Sequence, residues 1–293
     1  QTFSGHSIGN DWLFTDLEVA PHAVYSQMVI DKREMTITVQ RGCPYDCSYC
    51  LATKMYSTMS HMKDPQEIIG YCMKHRSKFD TYRFFAPVFT LDREWAKDLC
   101  RKMIAAKTDF KWCTTTRYEL LDDEELVDLM VRAGCYKVSV GVETLGDSAL
   151  MIGRLNKLDV LRRVAGYANK YPHDYDTQTG MIICGLCMLG VPGQTKQDVI
   201  DMFSLMEELN VRIRPTSYSP LEELTLKSDL TVEEIERYDK FTFYDGGIEN
   251  VSVSDYFRLI FNPHLYREIF QVGNTASIES GFRQCDRFMS GQL

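Results

Sequence analysis

The sequence predicts an α/β protein in which parallel strands form one sheet wrapped by helices. Three observations predict it. Short runs rich in β-branched and aromatic residues alternate with amphipathic helical segments from about residue 35 to about residue 243. A chain of 293 residues, 44% hydrophobic and 25% charged, can bury one large core. Gly and Pro punctuate the periodic segments and nowhere gather into a linker, a repeat or a low-complexity tract.

Met35 to Gln40 is a β-branched run and reads as the first strand. A turn-rich loop follows, and then Asp64-Pro65-Gln66-Glu67, where Asp can cap a helix, Pro suits its first position and Glu stands at the capping-box position. Ile68, Ile69, Cys72 and Met73 fall on one face of that helix. A second strand runs from Tyr82 to Phe85, a helix carries Trp95, Leu99 and Met103, and a third strand runs from Phe110 to Thr115. Leu126, Leu129, Met130 and Ala133 mark a helix that Gly134 stops, before a strand from Tyr136 to Gly141. A helix from Leu158 to Ala168, a strand near Gly180 to Cys184, a helix with Val199, Met202, Phe203 and Met206, and a strand near Val211 to Tyr218 continue the series. With Thr231 to Phe243 as the last helix, there are six βα units. Right-handed crossovers leave an open doubly wound sheet or a barrel, and in both the ligands sit beyond the carboxyl ends of the strands. Chemistry is therefore expected in the segments just after strands.

Thirty-three Lys and Arg against 41 Asp and Glu give a net charge of −8, which argues against a nucleic-acid partner held by long-range attraction. No run approaches the ~18 apolar residues that cross a bilayer, and the N-terminus lacks a secretory pattern. The expectation is a cytoplasmic protein with no membrane partner. Gln1 is an unusual true start, which leaves room for an upstream segment. The ten cysteines are dispersed and do not form a secreted disulfide framework; Cys72, Cys100 and Cys135 read as small hydrophobes.

One cysteine group is tight. Arg41-Gly-Cys43-Pro-Tyr-Asp-Cys47-Ser-Tyr-Cys50 follows the first strand, with its thiols spaced x3 and then x2. A structural zinc takes four ligands, which here would require Cys72 or His61 to join. An iron–sulfur cube held by only three cysteines would instead keep one iron open for another ligand, as suits a catalyst.

With Tyr49 before its last cysteine, this CxxxCxxC loop resembles that of the radical S-adenosylmethionine (radical SAM) superfamily. The resemblance implies a partial (β/α)6 TIM-like barrel and a [4Fe–4S] cluster on Cys43, Cys47 and Cys50, whose fourth iron chelates S-adenosyl-L-methionine (SAM). It implies that one electron splits SAM into methionine and a 5′-deoxyadenosyl radical, which abstracts hydrogen from a substrate. Further stretches are similar to the cobalamin-associated and methylthiotransferase-like branch: Asp16 to Pro21, Arg117 to Leu126, Ala133-Gly134-Cys135, Gly141 to Thr144 and Gly190 to Thr195. On that pattern Tyr49, Arg117, Glu143, Gly190, Val191 and Pro192 contact SAM. Arg117 suits the methionyl carboxylate, the alternative being a rim salt bridge to Glu119 or Glu143. Glu143 suits a ribose or ammonium group. The glycines and proline suit adenine held by main chain, or simply a turn before a helix capped by Thr195.

The pattern also departs from the family. Where many members carry Gly-Gly-Glu, this chain has Phe85-Ala86-Pro87-Val88, which leaves backbone carbonyls near Ala86 and Pro87 for the methionyl ammonium. Cys113, Cys184 and Cys187 are candidate hydrogen donors to a substrate radical, although apolar strand surroundings favour plain burial. Tyr218, Tyr256, Phe257, His264 and Tyr266 are candidates to line a substrate pocket, or else belong to the core. The organisation expected is an N-terminal extension over 1–34, the barrel over 35–243 and a closing C-terminal extension over 244–293. The reaction expected is oxidation, dehydration or rearrangement of a small polar metabolite or natural-product intermediate. Alternatives are epimerisation with a thiol hydrogen donor, cobalamin-dependent methyl transfer, sulfur insertion, or a non-catalytic SAM-, iron–sulfur- or zinc-binding protein. Expected partners are a small-molecule or peptide substrate and a one-electron donor such as flavodoxin or ferredoxin. Cobalamin is allowed but not indicated within the chain.

Overall fold

Thr36, Ile37 and Thr38 are β-branched and favour extended backbone, and Glu34–Thr38 forms β1. The computed structural model describes residues 34–50, 59–218, 231, 248 and 251–272. A short ribbon of β2 (Gln40–Arg41) and β3 (His61–Met62), paired antiparallel, brackets the segment that carries the cysteines. Helix α1 (Pro65–His75) starts where the sequence predicts, with the Asp64 carboxylate accepting from the backbone N–H groups of Gln66 and Glu67. The reciprocal capping contact expected of Glu67 is not made. Its carboxylate pairs at 2.7 Å with Lys63, whose side chain is only 3% exposed; a buried ammonium has the stronger need of an anion.

Strand and helix then alternate: β4 (Thr81–Phe85), α2 (Arg93–Ala105), β5 (Lys111–Thr116), α3 (Glu124–Arg132), β6 (Cys135–Glu143), the short α4 (Asp147–Met151), α5 (Leu158–Asn169), β7 (Ile182–Leu189), α6 (Lys196–Glu208) and β8 (Arg212–Ser217). The main sheet has the order β1-β4-β5-β6-β7-β8, every neighbour parallel. A doubly wound sheet reverses its order at a switch point, and this one does not. The topology is that of a partial barrel, and among the described residues no pairing joins β1 to β8. The series expected to end with a helix over Thr231 to Phe243 cannot be followed there, since that stretch lies outside the described residues apart from Thr231.

Alternate residues of each strand face the helices. Ile37, Phe84, Trp112, Val138, Val140, Ile183 and Ile213 pack there with Ile68, Leu99, Leu126, Leu161, Val199 and Phe203. Trp112 stacks on Phe84 at 5.0 Å and donates its indole N–H to the Ala133 carbonyl at 2.8 Å. The intervening residues, Arg83, Cys113, Lys137, Ser139, Cys184 and Arg212 among them, lie on the inner face away from the helices.

Two strands run further than the sequence suggests. β7 does not stop at Cys184 but continues to Leu189. Gly185 lets α6 come close: a Cβ there would lie 2.9 Å from Met206 Sδ. β6 continues past Gly141 to Glu143, through a register shift against β7 between those residues.

Helices α7 (Val253–Phe261) and α8 (Tyr266–Ile269) pack on α6 and on the ends of β7 and β8. The Tyr256 hydroxyl donates to the Leu189 carbonyl at 2.9 Å, and the Tyr266 hydroxyl to Glu207 at 3.1 Å. Both rings belong to the core, and His264 pairs with Glu207 at 3.2 Å. Phe257 meets the edge of Tyr256. Among the described residues no helix is long and apolar enough to cross a membrane.

Candidate cofactor-binding site

The three loop cysteines stand just beyond the carboxyl end of β1. Cys43 is buried, whereas Cys47 and Cys50 are partly exposed, and the Cys50 N–H donates to the Cys47 carbonyl at 3.0 Å. Burial pushes the Cys43 thiol up, the neighbouring Cys47 and Cys50 add to that, and a hydrogen bond from the Tyr45 backbone and the Arg117 guanidinium work against it. The three sulfurs therefore share one neighbourhood. Among the described residues no three Cys, His, Asp or Glu side chains close on a single ion. A tetrahedral zinc would draw its sulfurs to about 3.7 Å from one another; a cube of four irons is ligated at its outer corners and needs them further apart. Among the described residues the donor set here is three thiols, which fits the larger group. Cys72, an alternative fourth ligand, is wholly buried on the core face of α1, and His61 lies on β3.

Arg117 follows β5 and faces this loop. Its Nη1 lies 3.9 Å from Cys47 Sγ, and its guanidinium sits 4.2 Å above the Tyr45 ring. Nη2 donates to Glu119 at 3.2 Å, so the rim salt bridge weighed from the sequence is present together with a contact to a cysteine of the loop. The other oxygen of Glu119 accepts from Arg154 at 3.3 Å. Arg154, which sequence reasoning missed, is 3% exposed; it donates to the Gly141 carbonyl at 2.6 Å, and its Nε is buried with no hydrogen-bond partner among the described residues.

Glu143 ends β6 with φ at 69°, in the left-handed region that a non-glycine residue occupies at a cost of about 1–3 kcal/mol. Its carboxylate folds back over Gly141, where a Cβ would come within 2.3 Å of Oε1. Burial raises the Glu143 carboxyl above its ordinary range, opposed by Arg154 and by a hydrogen bond from the Tyr49 hydroxyl. Tyr49 is held protonated by burial and by that same carboxylate. Its ring packs with Tyr218 against Ile152, Met188 and Val191.

Two buried amides frame the mouth. Gln194 accepts from the Gly190 N–H at 2.8 Å and donates to Thr144 Oγ1 at 2.8 Å and to the Met188 carbonyl at 2.9 Å. It thus ties the Gly190-Val191-Pro192 turn to the end of β6. Val191 is fully buried, Pro192 is half-buried, and Thr195 caps α6 in a full capping box with Asp198. Gln40 accepts from the Val88 N–H at 3.0 Å and donates to Ser60 at 2.8 Å, which fixes the Ala86-Pro87-Val88 loop beside the cysteine ribbon.

The remaining thiols separate. Cys113 lies on the inner face of β5, hydrogen-bonded to Tyr136, with its thiol pushed up by burial against the pull of Lys137 and Arg83. Cys184 lies on the inner face of β7, whereas Cys187 joins the helix-side core with its Sγ 3.6 Å from the Gly185 carbonyl. Three residues along a strand means opposite faces, so these two thiols point away from one another.

Known proteins resemble this chain in sequence and in fold. The chain is 24% identical over 173 residues to the cytidylyl-2-hydroxyethylphosphonate methyltransferase of Streptomyces wedmorensis, covering 58% of this chain and 31% of the relative. It is 22% identical over 191 residues to the anaerobic magnesium-protoporphyrin IX monomethyl ester cyclase of Rubrivivax gelatinosus, covering 64% and 33%. The chain thus spans about a third of the length of these curated relatives. Its fold matches that of the radical SAM methyltransferase TsrM from Kitasatospora setae, solved with cobalamin and a [4Fe–4S] cluster, with a TM-score of 0.55 at 17% identity over 63% of this chain and 35% of that one. Residues 37–206, from β1 through α6, match the model of the Radical SAM superfamily, and with its three-cysteine loop at the carboxyl end of β1 the chain belongs to that superfamily of [4Fe–4S]- and SAM-dependent enzymes.

Proposed function

We propose that this chain binds SAM across the carboxyl ends of its strands and directs hydrogen abstraction from a small polar metabolite or natural-product intermediate lying against the inner face of the sheet. The observation that carries this reading is the joining of the cysteine loop to the ends of β5 and β6 through Arg117, Glu119, Arg154, Glu143 and Tyr49. With the cluster bound, one-electron cleavage of SAM supplies methionine and a 5′-deoxyadenosyl radical. The protein's part is placement and exclusion of water.

In this reading Cys43, Cys47 and Cys50 hold the cluster, and the Arg117 guanidinium, beside Cys47, takes the methionyl carboxylate. Carbonyls of Ala86 and Pro87, on the loop that Gln40 fixes, take the ammonium. Glu143 accepts from the ribose hydroxyls, while Tyr49, Val191 and the Gly190 and Pro192 backbone wall the adenine. Residues 35–243 act as the catalytic unit. Cys113 and Cys184, both on the inner face, are the thiols placed to return hydrogen to a substrate radical, and a flavodoxin- or ferredoxin-like protein supplies the electron.

A second reading, methyl transfer assisted by a cobalamin bound elsewhere in a longer protein, draws on the names of the relatives and on the third of their length that this chain spans. Anaerobic reconstitution with iron, sulfide and a chemical reductant tests both. Release of 5′-deoxyadenosine with methionine in equal amounts supports hydrogen abstraction, and S-adenosylhomocysteine appearing only with added cobalamin supports methyl transfer. Cys47→Ala should abolish the brown chromophore together with SAM cleavage. A protein that binds one zinc and stays colourless would overturn the proposal.

A further inference from the structure

For a chain of net charge −8, the inner face of the sheet is notably cationic. Arg83 of β4, Cys113 of β5 and Lys137 of β6 stand side by side in register. Ser139, Cys184 and Arg212 form the next row toward the mouth, and Gly141, Leu186 and Arg214 the one after. Directly paired residues share a face, strands lie about 4.8 Å apart and alternate residues about 6.6 Å apart. The four cations therefore form a band across β4, β6 and β8 that climbs toward Glu143. The thiols report the same neighbourhood: Cys184 feels Arg212, Arg214 and Lys137, and Cys113 feels Lys137 and Arg83.

The charges are not evenly compensated. Arg83 pairs with Glu34 at 3.1 Å. Lys137 meets the Tyr136 ring at 5.4 Å and, like Arg214, no carboxylate among the described residues. Charges on β8 alone would be explained as protection of an edge strand. Edge protection does not account for Lys137, whose strand is paired on both sides. Lys137 is partly exposed on that central strand, so its ammonium can take an anionic oxygen from a ligand.

We propose that Lys137 and Arg214, with Arg212 between their levels, bind an oxyanion of the substrate, carboxylate or phosphoryl, and so lay it along the inner face with its reacting end toward the mouth. The proposal rests on the SAM-cleaving reading for what happens at the mouth, but oxyanion binding is separable from it. At about 3.3 Å per residue, the Arg214 row lies about 7 Å and Lys137 about 20 Å below Glu143. That range suits an anionic group remote from the reacting carbon.

Isothermal titration of the cluster-loaded, SAM-saturated protein with pyrophosphate and with citrate tests it. Wild type should bind at least one probe, the tighter of the two identifying a phosphoryl or a carboxylate site. Lys137→Met combined with Arg214→Gln should weaken that binding at least tenfold, as loss of charge-assisted hydrogen bonds predicts, and Arg101→Met, at a surface residue paired with Glu125, should not. Arg214→Gln alone, at an exposed position, should weaken it severalfold without affecting folding. Substrate-free release of 5′-deoxyadenosine should persist in every variant. No probe binding by wild type, unchanged affinity in the double variant, or equal loss in Arg101→Met overturns the oxyanion site. Absence of 5′-deoxyadenosine from wild type with probe binding intact would instead overturn the SAM reading alone.

Discussion

Replacing Arg154 by Met removes three things at once: the donor to the Gly141 carbonyl, one of two guanidinium partners of Glu119, and the main counter-charge to Glu143. Breaking a buried ion pair by deleting one partner costs about 3–5 kcal/mol, because the other charge stays buried. Against a total stability of about 5–15 kcal/mol this is a large fraction. At about 2–4 °C per kcal/mol for a domain of this size, the melting temperature should fall by about 6–20 °C. Thermal and urea melts followed by circular dichroism on reduced protein measure it. Glu119→Gln in the Arg154→Met background should recover part of the loss, with a coupling of about 1–3 kcal/mol in the double-mutant cycle. The pH profile adds a signed test. Glu143 has a raised carboxyl value, so the folded state binds its proton more tightly than the unfolded chain. Its contribution is then most favourable below the unfolded value near ~4.3 and declines as pH rises through the folded value. Without Arg154 to hold that value down, the decline should extend to higher pH. A variant within about 0.5 kcal/mol of wild type, with an unaltered profile, would refute the claim that Arg154 holds this site together.

Gly141→Ala sets a methyl against Glu143 Oε1, the movable end of a side chain; it should cost about 1–3 kcal/mol and weaken SAM binding about tenfold by calorimetry. Unchanged affinity would remove Glu143 from the SAM site. Gly185→Ala meets Met206 Sδ at 2.9 Å and should cost a similar 1–3 kcal/mol with SAM affinity intact, since the clash lies on the helix side. Glu207 is pushed up by burial, but hydrogen bonds from His264, Arg267 and Tyr266 outweigh this and pull its carboxyl down to about 2. Its stabilising contribution is present above the unfolded value near ~4.3 and is lost as pH falls through about 2. Glu207→Gln should flatten that acid limb in a pH series of melts, and a limb of unchanged steepness would show that α8 is held by other contacts.

The parts legible in the sequence are those governed by local rules. Asp64 with Pro65 and Thr195 with Asp198 announce helix starts because their side chains satisfy backbone N–H groups within three residues. The alternation of strand and helix, and the cysteine loop after the first strand, followed from periodicity and spacing. What stayed hidden depends on partners far along the chain. Arg154 sits after a five-residue helix in a stretch with no periodic signal, and only the fold brings it to Glu119, 35 residues away. Gln40 and Gln194 look like ordinary polar residues and are buried because loop N–H groups need them. The strand expected to end near Cys184 runs on through Gly185, where α6 packs closely, and with β7 thereby extended, the spacing of Cys184 and Cys187 separates them.

The single amide of Gln194 has a consequence for how such a protein diversifies. By using its oxygen and its nitrogen on two different strand ends, it welds the turn after β7 and the threonine after β6 into one plate. Drift in the sequence that tilted either half would carry the other with it, so this plate resists piecemeal change. If the proposed oxyanion site holds, novelty in substrate choice is left to the inner-face side chains below that plate, where Lys137 and Arg214 can be exchanged without loosening a joint.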